Sequence, residues 1–243
     1  MKNPLFEEQI RVGFINFNMV RLHLVGLGVI TVLVFLFYPE KDISYYLARS
    51  TKPDLFNIAF FSVSAFLTYL TIKTAIFSIE VAHVISIHDW FLYTKLKIGT
   101  YLWGRISYGI FYTFFILVMF LPLLLVAASV SSIGPYNILA IILVLYLFLL
   151  NLFMFGLLLY TFFKKQHWVL TLILWFSVIL ILLISPTFLP EYHPTLLVLN
   201  LQISTDILSD LYNPIIFLFL SLFFSTVLSW LSMFSYSRSL HER

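Results

Sequence analysis

The sequence contains no cysteine and few charged residues, and each absence removes classes of protein from consideration. Without cysteine, the chain of 243 residues has no disulfide, no thiolate metal site and no cysteine nucleophile. Charged residues make up 10% of the chain, whereas a soluble domain carries about 25%. So few charges cannot cover the surface of a soluble globule. The composition therefore excludes a soluble enzyme, a disordered chain and a nucleic-acid-binding domain.

Apolar residues dominate what is present. They account for 61% of the chain, and 27 residues are phenylalanine. Because a helix needs about 20 residues to cross a bilayer, we predict an all-α, polytopic integral membrane protein with six transmembrane helices in a single transmembrane domain, 1–243. The predicted spans are 22–38, 55–80, 106–126, 138–163, 168–184 and 214–236. We expect the connection 187–213 to be an external segment that dips into the membrane before the last span.

The first residues predict a helix that lies in the headgroup region. Within 4–18, apolar residues recur at helical spacing, and they are Phe6, Ile10, Phe14 and Phe17. The charged residues of this segment are Glu7, Glu8 and Arg11, and Glu7 and Arg11 have the spacing of a favourable ion pair. Such a helix would lie along the interface rather than cross it. The alternative is an ordinary N-terminal cap on the first span.

The basic residues predict the orientation of the chain. With the N-terminus inside, ten of the 14 lysines and arginines fall on the cytoplasmic side, namely Lys2, Arg11, Arg21, Lys95, Lys97, Arg105, Lys164, Lys165, Arg238 and Arg243. Only Lys41, Arg49 and Lys52 then lie outside, and Lys73 lies in the second span. Because positive residues accumulate in cytoplasmic loops, we predict a multi-pass protein of the cytoplasmic (inner) membrane with both termini inside.

Enzyme motifs are missing from the sequence. It contains no His-Glu-x-x-His zinc motif and no Gly-x-Ser-x-Gly nucleophile turn. A Walker A loop is also absent, so energised transport would need a separate nucleotide-binding subunit. We therefore predict that the chain is not an enzyme, has no catalytic residue and requires no cofactor or metal. The six histidines have no metal-ligand spacing, and we interpret them as interface residues.

Two ionisable residues fall in the second apolar stretch. Lys73 and Glu80 are seven residues apart, which places them on similar faces of a helix, two turns from each other. Charges inside a span are functional candidates because lipid burial is expensive. The alternative is that both lie near the cytoplasmic end and extend to the headgroups.

The order of segments resembles the membrane subunit of an ABC transporter of the type-2 exporter class. The similar features are an amphipathic connecting helix, six spans, a cytoplasmic segment (87–99) between spans two and three, glycines leading into span three and a proline near its outer end. The residues that carry the resemblance are Glu80, the stretch Trp90 to Lys97, Gly99, Gly104 and Pro122. Tyr93-Thr94-Lys95 stands where that family has a Thr-Pro-like step, which leaves subfamily and substrate open.

The resemblance implies a function and partners. It implies a permease subunit of an ATP-driven exporter that docks on an ABC ATPase subunit and pairs with a second permease copy or a related permease in the lipid bilayer. The implied ATPase-coupling residues are Glu80, His88, Asp89, Trp90, Phe91, Tyr93, Lys95 and Lys97. Because the spans offer few charges, we expect a lipid-like or amphiphilic substrate. The alternatives are a non-transporting structural or assembly subunit and an integral-membrane lipid-modifying enzyme.

Overall fold

The computed structural model shows an all-α chain. It describes residues 6, 7, 9, 10, 17–38, 55–77, 98–163, 171, 172, 174–176, 212, 215, 216 and 218–231. The long helices are α1 (Phe17–Leu36), α2 (Leu55–Phe77), α3 (Ile98–Val130) and α4 (Pro135–Phe163). A shorter apolar helix, α5, covers Leu218–Leu231.

Three of the described helices are long and apolar enough to cross a membrane. Their apolar stretches are Leu55–Ile76, Leu102–Val130 and Pro135–Leu159, with 22, 29 and 25 residues. Each exceeds the roughly 20 residues that the hydrocarbon core requires. Large apolar side chains are exposed on the outside of these helices, among them Phe114, where a soluble protein would carry polar residues. The chain is therefore a multi-pass integral membrane protein.

The helices overlap the predicted spans, but α3 is considerably longer than its span. It begins at Ile98, eight residues before the predicted start at residue 106, and ends at Val130, four residues after the predicted end. Hydropathy detects the apolar part of a helix, whereas hydrogen bonding continues beyond it. The last two residues of the predicted coupling segment 87–99 therefore belong to α3. In the last two predicted spans, residues 171, 172, 174–176, 215, 216 and 218–231 are helical.

The long helices alternate in direction. The backbone N–H of Phe56, at the start of α2, donates to Oγ of Ser131 at the end of α3, over 3.2 Å. At the other end of the same pair, the side chain of Arg105 reaches the carbonyl of Ala75. Helices α2 and α3 are therefore antiparallel, and α1 and α3 run in the same direction because His23 meets Tyr112 near the Arg105 end.

One end of the bundle carries all the basic residues that the structure describes. They are Arg21 near the start of α1, Lys73 near the end of α2 and Arg105 near the start of α3. We call this the basic end. The opposite end contains the short turn between α3 and α4 and no lysine or arginine among the described residues.

The turn at the opposite end has the geometry of a Schellman motif. The N–H of Ile133 donates to the carbonyl of Ala128, and the N–H of Ser132 donates to that of Ser129, over 3.1 and 3.2 Å. Ser132 takes the left-handed position, with φ of 55°, where glycine is the usual residue. Pro135 then starts α4, where its missing N–H leaves no hydrogen bond unmade. The turn thus reverses the chain within a few residues and sets α4 beside α2.

Helix α2 lies at the centre of the described bundle and packs against α1, α3 and α4. Its residues are buried on several sides rather than along one stripe, and Ala59, Val63, Leu67 and Ala75 are completely inaccessible. A helix that is apolar all round is expected in such a position. Small side chains bring α4 close, since a Cβ added to Gly156 would lie 2.7 Å from Cβ of Ala75 and 3.3 Å from the Ile72 carbonyl oxygen.

In the described part of the N-terminal segment, residues 6, 7, 9 and 10 are helical. Phe6 and Ile10 pack against the core, and the Phe6 ring meets Phe111 of α3 edge-on with centroids 6.2 Å apart. Glu7 is exposed. Gln9, however, is completely buried, so this segment contacts the protein on more than its apolar side.

The close approach at Gly156 yields a stability prediction with a matched control. Replacing Gly156→Ala forces α2 and α4 apart, and we expect the free energy of unfolding to fall by about 1–3 kcal/mol. Gly28→Ala makes the same covalent change where nothing lies within 4 Å, so stability should stay constant or rise by up to about 1 kcal/mol. Thermal unfolding in detergent micelles measures both, and equal shifts in the two variants would contradict the packing.

Candidate functional site

A group of buried polar side chains lies where α1, α2 and α3 meet, toward the basic end. We call it the polar cluster, and its members are His23, Thr74, Arg105, Tyr108 and Tyr112. Each member is at most 7% exposed. Polar groups inside a membrane bundle are expensive and mark functional candidates, so this cluster is the candidate site in the described part of the chain.

The hydroxyl of Tyr112 connects three helices. Oγ1 of Thr74 on α2 donates a hydrogen bond to it over 2.9 Å, and Nε2 of His23 on α1 lies 2.9 Å from the same oxygen. The imidazole and phenol rings also meet edge-on, with centroids 5.8 Å apart. Tyr112 therefore holds α1, α2 and α3 together through one atom.

The two bonds to Tyr112 are compatible because a phenol both accepts and donates. With Thr74 donating, the phenolic proton remains available for Nε2 of His23. This arrangement satisfies all three groups when His23 is neutral and carries its own proton on Nδ1. With this tautomer, the hydrogen bonds run in one direction from Thr74 through Tyr112 to His23.

Arg105 binds the end of α2 from its position on α3. Its Nη2 donates to the carbonyl oxygen of Ala75 over 2.8 Å, and its guanidinium lies 5.8 Å from the ring centroid of Phe153 on α4. Ala75 lies in the last described turn of α2. Arg105 thus binds a backbone carbonyl of α2 while its planar cation rests against an aromatic ring.

The sequence interpretation counts Arg105 among the cytoplasmic basic residues, directly before the predicted third span. The structure includes it in α3 and buries it completely. The physical reason is that a helical carbonyl and an aromatic face together receive the guanidinium, which arginine tolerates better than lysine because its charge is spread over a plane.

Tyr108 fills the space between Arg105 and Tyr112. Its ring stacks on that of Tyr112 with centroids 5.8 Å apart, and meets Phe153 at 6.1 Å. Its hydroxyl has no hydrogen-bond partner among the residues that the structure describes. Tyr108 therefore supports the cluster by packing, whereas Tyr112 supports it by both packing and hydrogen bonding.

The sequence interpretation missed this cluster. Arg105, Tyr108 and Tyr112 follow one another at steps of three and four, which places them on one face of a helix. That spacing is a signal that could have found them. His23, interpreted as an interface residue, is instead buried, and nothing in its sequence surroundings indicates its partner 89 residues away.

A second polar contact joins α4 and α5. Nδ2 of Asn151 donates to the carbonyl oxygens of Leu147 and Leu218, each over 2.9 Å, and the hydroxyl of Ser221 donates to Oδ1 of Asn151. Asn151 satisfies its own amide by bridging the two helices. This contact positions α5 and is separate from the polar cluster.

The residues that the sequence singled out lie largely elsewhere. Of the connecting-helix residues, Glu7 is described and exposed, while Glu8 and Arg11 lie outside the described residues. The predicted coupling residues also lie outside them, and these are Glu80, His88, Asp89, Trp90, Phe91, Tyr93, Lys95 and Lys97. Within the described ranges, no group of three or more histidines or acidic residues could hold a metal ion.

Comparison of the chain with protein-family models, curated proteins and solved structures finds no match.

The unequal roles of the two stacked tyrosines can be tested directly. Tyr112→Phe removes the shared hydroxyl from His23 and Thr74, and we expect the free energy of unfolding to fall by about 1–2 kcal/mol. Tyr108→Phe deletes the same atom from an equally buried ring and should change stability by less than about 0.5 kcal/mol. Thermal unfolding in micelles compares the two variants.

A double variant tests whether the hydrogen bond between Thr74 and Tyr112 stabilises the bundle. If Thr74 stabilises the bundle through Tyr112, Thr74→Val combined with Tyr112→Phe should destabilise less than the sum of the two single changes. Additive effects, or equal losses from Tyr108→Phe and Tyr112→Phe, would rule out the shared hydroxyl as the connection.

Proposed function

We propose that the chain is the membrane-spanning permease subunit of an ATP-driven ABC exporter, with six spans and both termini in the cytoplasm. Two permease subunits would pack together, and each would dock on a separate ATPase subunit through the coupling segment 87–99. The sequence lacks a Walker A loop, so the proposal assigns all nucleotide chemistry to the ATPase. The proposed cargo is a lipid-like or amphiphilic molecule.

The observation that supports this proposal best is the bond between Arg105 and Ala75. Residues 78–97 connect the end of α2 to the start of α3, and they include most of the proposed coupling segment. The Arg105 guanidinium binds the end of α2 from the first turns of α3, over 2.8 Å. A force applied to residues 78–97 would therefore act on α2 and α3, which the bond between Arg105 and Ala75 joins.

The polar cluster extends this connection to a third helix. Tyr112 lies two turns beyond Arg105 on α3 and shares its hydroxyl with Thr74 on α2 and His23 on α1. A displacement of α2 and α3 would carry α1 with it, since separating the helices would break the buried hydrogen bonds at the Tyr112 hydroxyl. In the proposed mechanism, ATP-driven closure of the ATPases pushes the coupling segment, and α1, α2 and α3 move as a unit.

The chemistry of the described helices supports an amphiphilic cargo. Their residues include three cations and one carboxylate, Glu7, and the outer surfaces consist of aliphatic and aromatic side chains. A strongly hydrophilic ion would find few partners along such walls. An amphiphile can instead keep its apolar part against them throughout transport.

Charge reversal in the coupling segment tests the docking. In Asp89→Lys combined with Lys95→Glu, ATP-dependent transport should fall at least about tenfold, because complementary charges at the docking surface become like charges. The matched control, Lys41→Glu with Asp42→Lys, reverses one charge pair in the predicted outer loop and should leave transport unchanged. Proteoliposomes containing the co-expressed ATPase report lipid transport and ATP hydrolysis together.

The outcomes separate the proposed function from its alternatives. Unchanged coupling in the Asp89/Lys95 variant would exclude docking through this segment. Transport without any ATPase would refute the exporter assignment. Stable co-purification with an ATPase that never supports transport would assign a structural or assembly role instead.

The proposed orientation can be tested because the chain contains no cysteine of its own. Ser132→Cys places one thiol in the exposed turn between α3 and α4, and Lys164→Cys places one just beyond α4. A membrane-impermeant maleimide should label Ser132→Cys in intact spheroplasts and Lys164→Cys only after permeabilisation. The reverse pattern would invert the assignment.

A further inference from the structure

A second group of side chains lies on the outer surface of the bundle, away from the polar cluster. We call it the Lys73 site, and its members are Tyr69 and Lys73 on α2 and Trp175. The Nζ atom of Lys73 lies 5.4 Å from the ring centroid of Tyr69. The Tyr69 ring in turn stacks on Trp175, with centroids 5.3 Å apart and planes inclined by 30°.

Burial places this site at the surface of α2 rather than in its core. Ile72 and Thr74, the neighbours of Lys73 in sequence, are completely buried, whereas Lys73 is partly exposed. Trp175 is 52% exposed. The Lys73 site therefore faces the surroundings of the bundle, which for a transmembrane helix are lipid.

The depth of Lys73 brings its charge within reach of lipid headgroups. It lies 18 residues after Leu55, the first residue of α2. At about 1.5 Å per residue, that separation is about 27 Å along the helix, close to the roughly 30 Å thickness of the hydrocarbon core. Lys73 therefore lies near the far boundary of the hydrocarbon, where a lysine ammonium can reach the headgroups. Tryptophan and tyrosine are enriched at the same level.

The side chains of the site carry groups of the kind that bind a phosphate. The lysine ammonium, the tyrosine hydroxyl and the tryptophan indole N–H all donate hydrogen bonds, and a phosphodiester offers only acceptors and a negative charge. The single carboxylate among the described residues, Glu7, belongs to the N-terminal segment. The stacked rings provide a flat apolar surface for the glycerol and upper acyl chain of the same molecule.

We propose that Lys73, Tyr69 and Trp175 form a binding site for the phosphate headgroup of an anionic phospholipid that resides on the surface of the bundle. The ammonium supplies the charge that selects an anionic over a zwitterionic lipid. The two rings hold the lipid beside α2. This site does not depend on the proposed transport function, since it requires only that α2 lies in a bilayer.

Native mass spectrometry of the detergent-solubilised protein tests the site by titration with phosphatidylglycerol and with phosphatidylcholine. Wild-type protein should prefer the anionic lipid, and Lys73→Gln should weaken phosphatidylglycerol binding about fivefold. Lys73→Arg retains the charge and should restore binding, which separates loss of the site from loss of folding. Trp175→Leu keeps an apolar side chain but loses the indole N–H, and should weaken binding about threefold.

Arg21→Gln is the matched control, because Arg21 is an exposed cation at the same end of the bundle. It should alter phosphatidylglycerol binding by less than about twofold. Equal losses in Arg21→Gln and Lys73→Gln, or no loss in Lys73→Gln, would overturn the proposal. Displacement of the lipid by millimolar glycerol phosphate or inorganic phosphate would also overturn it, since the site would then recognise a soluble anion.

Discussion

Hydrocarbon offers no partner for a hydrogen bond, and the two bonds at the Tyr112 hydroxyl show how the bundle meets this constraint. A backbone polar group in hydrocarbon must find its partner within the protein, and a polar side chain gains stability by doing so. At this point the partners come from α1 and α2, so satisfying one side chain fixes the relative positions of three helices. Arg105 also finds its partners within the protein. It donates a hydrogen bond to the Ala75 carbonyl on α2 and lies against the Phe153 ring on α4.

Packing in lipid has a different basis from packing in water, and the central position of α2 reflects it. Because lipid tails are as apolar as leucine, helices gain little from hiding apolar surface from each other. They gain from close contact and from internal hydrogen bonds. Gly156 allows close contact, because it has no side chain where the backbone of α2 passes at Ile72. Thr74 provides an internal hydrogen bond to Tyr112. The combination of small and hydroxylated residues allows α2 to contact α1, α3 and α4.

Hydropathy predicts an all-α membrane protein, and three of the described helices are long and apolar enough to cross a membrane. The start of α3 could not be predicted in this way, because hydropathy falls at Arg105 although the helix already begins at Ile98. The candidate site was predictable only in part. The spacing of Arg105, Tyr108 and Tyr112 marks one helical face, but His23 belongs to another helix 89 residues away, and only tertiary packing brings it to Tyr112. A single sequence contains no signal for that contact.

The bond between Phe56 and Ser131 links the geometry of the bundle to the order in which it can assemble. Helix α2 precedes the α3–α4 turn in the chain, so the N–H of Phe56 is synthesised long before the hydroxyl that receives it. Helices α3 and α4 form a local hairpin through their short turn, and local contacts form quickly. The start of α2 must therefore remain solvated by water or headgroups until the hairpin is complete. We therefore expect the start of α2 to dock only after the turn made by residues 131–134 has formed.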